Sequence, residues 1–509
     1  MAKPFTGSRI PWLTLFLPEL FLGTVAGFWF AGNTPAQDGF DNRLPLCLMF
    51  LGYLLAGALL KTLLYCFPFR RRGVGQLSWS YISFFLAMIE LGCFFDFYIV
   101  GYSADRTRWE IAQYALEWYI PLLMIALAGA FVSLMQNWAR LPFVQRSRRR
   151  KQRRRRRSRE SAAAETPAPF AAFAEKAGAV LRDPKCLVLL MLLYAAAGAG
   201  LFFVFFRNVR STDLARLNLR NKCIEGFRLV LFVLLFLLRY SRDCKKQGST
   251  GISDAFAGIS GFLLCGVTAG MYLLGGEFGS AIITAIFAVL TIFYFYSSRW
   301  GMVLAELGGC AYAAGFIADR VFRRTTYPAF ITETLGMERW NRLYGLEQFP
   351  QVLELRTVLR QSALLRGIVP YQVSLNGKAY TRIEDFSFVN LVSVFGSIAA
   401  LAVIGYYTVL LARVFYRLDN TVRSRRMPPL RTALFHTAQL AALYTLTHAA
   451  VHVVSNLTFL FFTGVPLPFV SKGLSNLLVC LVLSVLIICC LRWEEEYART
   501  SKKAAQRSR

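Results

Sequence analysis

The chain has 509 residues, of which 56% are hydrophobic and 15% aromatic, and its mean hydropathy is +0.44. That is more apolar surface than a soluble core of this length needs, so part of it must face lipid. The formal charge of +29, from 58 Lys and Arg against 29 Asp and Glu, would suggest nucleic acid on a soluble domain. Here the cations cluster between apolar runs, where membrane topology accounts for them without nucleic acid.

Runs of about 20 apolar residues are long enough to cross a bilayer as helices, which satisfy their own backbone hydrogen bonds there. The expected fold is therefore all-α, a polytopic transmembrane bundle of about twelve helices. The approximate spans are 11–31, 45–67, 79–101, 115–137, 186–206, 224–240, 254–275, 279–297, 299–318, 389–414, 434–463 and 474–492. The first run follows MAKPFTGSR without a small-residue cleavage site and reads as a retained span. Residues 1–137 form an N-terminal four-helix block, and 138–185 a basic disordered linker. A membrane core follows over 186–492, with a large extracytoplasmic loop at 319–388 before the third-last helix, and then a basic tail at 493–509.

The positive runs Arg70–Arg72, Arg146–Arg159, Arg239–Lys246, Arg413–Arg431 and the tail after Lys502 fall on one side if twelve spans alternate. That side is cytoplasmic and holds both termini. Within the linker, RSRRRKQRRRRRSRE (Arg146–Glu160) reads as an orientation signal against anionic lipid, ahead of a docking tail or a nucleic-acid tether. One loop breaks the pattern: Arg207, Arg210, Arg216, Arg220 and Lys222, opposed only by Asp213, fall on the external side. An anionic substrate at that surface would explain them, and a solvated loop is the plain alternative.

Charged residues inside spans are costly and point to cavities or to one another. Glu225 and Arg228 are three apart on one helix face and are expected to pair at its external mouth. Glu277 follows a double glycine and either caps the next helix or meets substrate. Glu19, Glu90, Asp96 and Glu306 carry no motif, and Lys61 is expected to snorkel from a cytoplasmic helix end. His448 and His452 are four apart on one helix with no third ligand evident, which argues against metal binding. The eleven cysteines are scattered and read as buried thiols. No phosphate-binding glycine loop, G-x-S-x-G or H-E-x-x-H occurs, which argues against ATP-driven transport and soluble hydrolase chemistry.

The stretch TGVPLPFVSKGLSNLL, Thr463–Leu478, is similar to the signature T-G-[IV]-P-L-P-F-[IV]-S-Y-G-G-S-S-L-L before the last helix of the SEDS family, the peptidoglycan glycosyltransferases that include RodA and FtsW. Lys472, Leu474 and Asn476 replace the usual Tyr, Gly and Ser. Three more segments resemble family landmarks in the same order: CIEGFR with Glu225 and Arg228, GGEFGSA with Glu277, Gly279 and Ser280, and EDFSFVN with Asp385 and Phe386. The likeness spans roughly 186–492 and leaves the N-terminal block unassigned.

What the resemblance implies is polymerisation of lipid II, a polyprenyl-pyrophosphate disaccharide peptide, into glycan strands at the outer face of a bacterial cytoplasmic membrane, for cell elongation or division. It carries the catalytic role onto Asp385, a general base for the attacking sugar hydroxyl. Substrate contacts fall on Glu225, Arg228, Glu277, Arg210, Arg216, Arg220, Ser471 and Lys472. The resemblance also implies that His448 and His452 hydrogen-bond within the bundle. The leaving pyrophosphate asks for these cations or for a divalent ion such as Mg or Mn. No protein-bound metal site is expected. The implied partner is a class B penicillin-binding protein, together with membrane lipids and no nucleic acid. The alternatives are a flippase for lipid-linked precursors and a degenerate SEDS scaffold that recruits a transpeptidase.

Overall fold

The computed structural model describes residues 12–31, 43–64, 76–100, 116–137, 180, 183–205, 214–275, 277–296, 298, 301–303, 307–308, 359, 364, 374–375, 378–379, 386–424, 427–457, 465–470 and 474–507. The N-terminal helices are α1 (Trp12–Ala31), α2 (Arg43–Leu64), α3 (Gln76–Val100) and α4 (Tyr119–Asn137). Next come α5 (Pro184–Ala199), which runs into a π-helical turn at Gly200–Phe205, then α6 (Leu214–Lys246), α7 (Asp254–Gly275) and α8 (Phe278–Phe295). The C-terminal helices are α9 (Ser387–Phe395), α10 (Ser397–Ser424), α11 (Pro429–Asn456) and α12 (Leu474–Arg507). A two-residue antiparallel ladder, β1 (Ser374–Leu375) with β2 (Lys378–Ala379), is also present.

Local chemistry sets these limits. Asp183 caps α5 by accepting from the Lys185 amide at 3.1 Å, and Pro184 fills the first turn, where its missing N–H costs nothing. Seven segments are long and apolar enough to cross a membrane: Leu46–Leu64, Leu77–Phe97, Pro184–Phe203, Asp254–Leu274, Phe278–Phe295, Ser397–Ser424 and Asn476–Glu495. The chain is a helical membrane protein. Exposed leucines along these segments, such as Leu55, Leu192 and Leu401, provide the lipid-facing surface. Helices α6 and α11 fall below that measure because charged or polar residues interrupt their apolar surfaces. Most of the expected span 299–318 lies outside the described residues, as does most of the linker; 301–303 and 307–308 are helical.

Helix α11 is the centre of the bundle and packs on α6, α8, α9, α10 and α12. The N-terminal helices join it through α12, which meets both α3 and α4. Tyr81 and Ser484 share a hydrogen bond at 3.0 Å, and Ser78 donates to Glu495 at 2.8 Å. Gly92 on α3 lies so close to the Val470 carbonyl that a methyl group there would collide with backbone.

Four expectations are corrected. The span expected over 389–414 is two helices, because Gly396 at φ 84° and ψ 167° breaks it into α9 and α10. That conformation belongs essentially to glycine, and hydropathy does not register it. The segment 224–240 belongs to a 33-residue helix with charged ends, and the expected tail from 493 continues α12 as helix to Arg507. Lys61 does not snorkel: it is fully buried, with its ammonium 2.5 Å from Glu19 and 3.9 Å from Glu90.

Candidate functional site

Helix α6 presents Arg220, Ile224, Glu225 and Arg228 toward the ends of α7 and α8. Spacings of three and four place them on one face. Arg228 donates to Glu225 Oε1 at 2.7 Å and to Ser280 Oγ at 2.5 Å. Its guanidinium lies 5.9 Å from the centre of the Tyr272 ring, while the Tyr272 hydroxyl donates to the Ile224 carbonyl at 3.1 Å. One turn earlier, Arg220 donates to the Gly275 carbonyl at 3.0 Å and pairs with Glu277. Glu277 occupies the N-cap position of α8, but its side chain makes no capping bond; the carboxylate is directed to Arg220 instead. The CIEGFR and GGEFGSA segments, some fifty residues apart, therefore form one polar cluster.

The formal charges in that cluster balance: Arg220 and Arg228 against Glu225 and Glu277. Hydrogen-bonding capacity is nevertheless left over. Among the described residues, Glu225 Oε2, Arg220 Nε, Arg228 Nε, the Tyr444 hydroxyl and both His448 ring nitrogens are buried without hydrogen-bond partners. Tyr444 and His448 are near enough for the Arg228 charge to act on them. Buried polar atoms seldom go unpaired unless a ligand or water meets them, so this group offers contacts to a polar ligand or to water.

A second set of contacts ties the other two motif segments together. The buried His452 donates from Nδ1 to the Val465 carbonyl at 2.6 Å, and its Nε2 accepts from the Phe388 amide at 3.2 Å. Those partners fix one neutral tautomer, with the proton on Nδ1. Asn456, one turn on, accepts from the Val389 amide at 3.4 Å. Both contacts meet amides of the first turn of α9, where helical N–H groups have no partner within the helix. In the turn that starts at Val465, Phe469 is buried with φ 71°. A left-handed non-glycine residue costs about 1–3 kcal/mol and persists where packing over-determines it.

Of the expected site residues, the structure brings together Glu225, Arg228, Glu277 and Arg220. Arg216 is on α6, with its side chain outside the description. Asp385, Arg210, Ser471 and Lys472 lie outside the described residues. Phe386, which follows Asp385, is buried. Sequence reasoning did not single out Tyr272, Tyr444 or Asn456. A signal was present for two of them: Tyr444, His448, His452 and Asn456 recur every four residues, one stripe of a helix. No group of residues suited to holding a metal ion occurs among the described residues. Neither the protein-family models nor the curated proteins compared with this sequence match it.

Proposed function

We propose that the chain is a SEDS-type glycosyltransferase that polymerises lipid II at the outer face of a bacterial cytoplasmic membrane. The observation that carries this reading is the joining of separately matched segments. CIEGFR meets GGEFGSA through Arg228 and Ser280, and the segment after Asp385 meets VPLPF through His452. Segments that match a family singly by chance have no reason to meet in pairs.

In this reading Asp385 takes the proton from the sugar hydroxyl as its oxygen attacks the anomeric carbon, and the bond to the polyprenyl pyrophosphate breaks. Negative charge then accumulates on the leaving group. Arg228 and Arg220 are ion-paired, so they stabilise it by exchanging carboxylate partners for phosphate. Lys222, exposed one turn from Glu225, adds unpaired charge at the mouth, and a divalent ion such as Mg or Mn would add more. The chain crosses the membrane about twelve times with both termini in the cytoplasm, and a class B penicillin-binding protein is its partner. The second reading, a scaffold without activity, is favoured by the balanced charges of the arginine cluster and by Lys472 and Leu474.

The test is polymerisation of labelled lipid II by the purified chain with its co-encoded transpeptidase. Polymer from wild type and none from an equally folded Asp385→Ala variant is expected. Lack of polymer from wild type in the presence of that partner would favour the scaffold.

A further inference from the structure

The N-terminal helices hold a charged cluster that the glycosyltransferase reading does not use. Glu19 on α1, Lys61 on α2 and Glu90 on α3 meet in the bundle interior, with Lys61 and Glu90 fully buried and Glu19 nearly so. The Lys61 ammonium lies 2.5 Å from Glu19 Oε1 and 3.9 Å from Glu90 Oε2. The lysine thus compensates Glu19 closely and Glu90 from farther away. Among the described residues Glu19, Glu90 and the Lys61 ammonium all lack a well-directed hydrogen bond, so distance from the ammonium is what separates the two acids. Gly57, one turn before Lys61, makes room for the Glu90 carboxylate, because a methyl group there would overlap Glu90 Oε1.

Two carboxylates and one ammonium leave an excess negative charge in a medium that solvates charge poorly. A second positive charge must come from a proton or a bound cation. The remaining groups facing Glu90 do not supply one. Tyr53 on α2 has a buried hydroxyl without a hydrogen-bond partner among the described residues, and Cys93 and Tyr119 lie along the same seam. Helix α9 has no ionisable residue, and α12 has only cysteines between Leu474 and Leu491. A metal ion would need several oxygen ligands around it, whereas a proton needs one.

We propose that the Glu19–Lys61–Glu90 cluster is a proton-binding site in the membrane interior, with one exchangeable proton on the Glu90 carboxyl. It stands on contacts outside the region of family resemblance, so it holds or fails independently of the glycosyltransferase reading. Neutral Glu90 lets α1 and α2 close on α3 without a buried net charge. Loss of the proton restores that charge and loosens the contact.

Infrared difference spectra of the purified full-length chain, taken from about pH 5 to about pH 9, test this through the carbonyl stretch of a protonated carboxylic acid. Wild type is expected to show a buried-acid band at neutral pH. Glu90→Gln and Glu19→Gln should both lose it, since either leaves one carboxylate for one ammonium. Lys61→Met should roughly double it, because both acids must then be neutral. The position of the band assigns the carrier: Glu90→Asp shifts it and Glu19→Asp leaves it in place. Wild-type and Glu90→Gln spectra that superpose across the whole range would overturn the site. A band that shifts with Glu19→Asp instead would overturn the assignment to Glu90.

Discussion

His452 does two jobs with one ring. As donor it holds the Val465 carbonyl, and as acceptor it holds the Phe388 amide; only the neutral ring with its proton on Nδ1 satisfies both. Replacing it by Ala leaves a buried carbonyl and a buried amide unpaired, at about 1–3 kcal/mol for each. If the polymerase reading holds, the larger effect is on rate. Phe388 is three residues beyond Asp385, and misplacing a catalytic group by about 1 Å costs up to about a hundredfold. His452→Ala is therefore expected to lower kcat for lipid II polymerisation by roughly tenfold or more, with a smaller change in KM and a lower thermal unfolding temperature. A KM-dominated loss would instead assign His452 to substrate binding. For His452 the hydrogen-bonding role was legible in the family resemblance; His448, given the same role, has no hydrogen bond to either ring nitrogen among the described residues. The partners of His452 were not legible, since Val465 and Phe388 are distant from each other in sequence and contribute backbone atoms, which carry no residue-specific signal.

Gly396 decides an architecture that hydropathy alone reads as one long span. The apolar run is continuous from Phe388 to Ala412 apart from uncharged polar residues, yet the chain reverses its backbone sign at one glycine and starts again as α10. The break leaves α9 as a nine-residue helix whose first turn is held by α11 and whose end releases the chain to α10. The Leu364 carbonyl accepts the Ile398 amide at 3.0 Å, so a residue of the long connection seals the first turn of α10. Discontinuous membrane helices are tolerated where side chains and neighbouring segments satisfy the freed backbone groups. Gly396→Ala forces a Cβ into a region open essentially to glycine, at about 1–3 kcal/mol. The expected outcome is a destabilised protein in detergent, with its unfolding temperature lowered. Gly405→Ala is the control, since that glycine lies within α10 with open space around its Cα. Equal stability of the two variants would show that the break relaxes into a continuous helix. Burial of Lys61 was hidden for a similar reason: a lysine near the end of an apolar run reads as one reaching for water, and only packing brings Glu19 and Glu90 to meet it.

At the scale of the whole molecule, the Arg239–Lys246 run and the described basic residues flanking the α10–α11 connection meet at one end of the bundle. Gln247, just past Lys246, donates to the Met427 carbonyl at 3.0 Å, which brings the Arg239–Lys246 run beside the connection between α10 and α11. Arg417 pairs with Glu494 at 3.0 Å, and Arg431 lies over the Trp493 ring at 5.9 Å. Ser78, near the start of α3, reaches Glu495. Part of this charge is spent within the fold. Arg239 and Arg242 pair with Asp243, and Arg242 and Lys246 pair with Asp254. The exposed Lys245 and Arg413 are left to set orientation. Arg220 and Glu277 lie six turns or so along α6 from that end, about 30 Å away at 1.5 Å per residue, which matches the thickness of a bilayer core. If the basic end lies in the cytoplasm, the arginine cluster and the Val465 turn face the exterior, the side that the proposed polymerase reading requires. Reporter fusions check this directly. A reporter active only in the cytoplasm should work after Gln247 and after Arg507 but fail within 319–384, and one active only outside should give the reverse. External activity after Arg507 would mean an odd number of crossings between that point and the cytoplasmic turn at Gln247. The alternation of spans, and with it the external placement of the Asp385 segment, would then have to be abandoned.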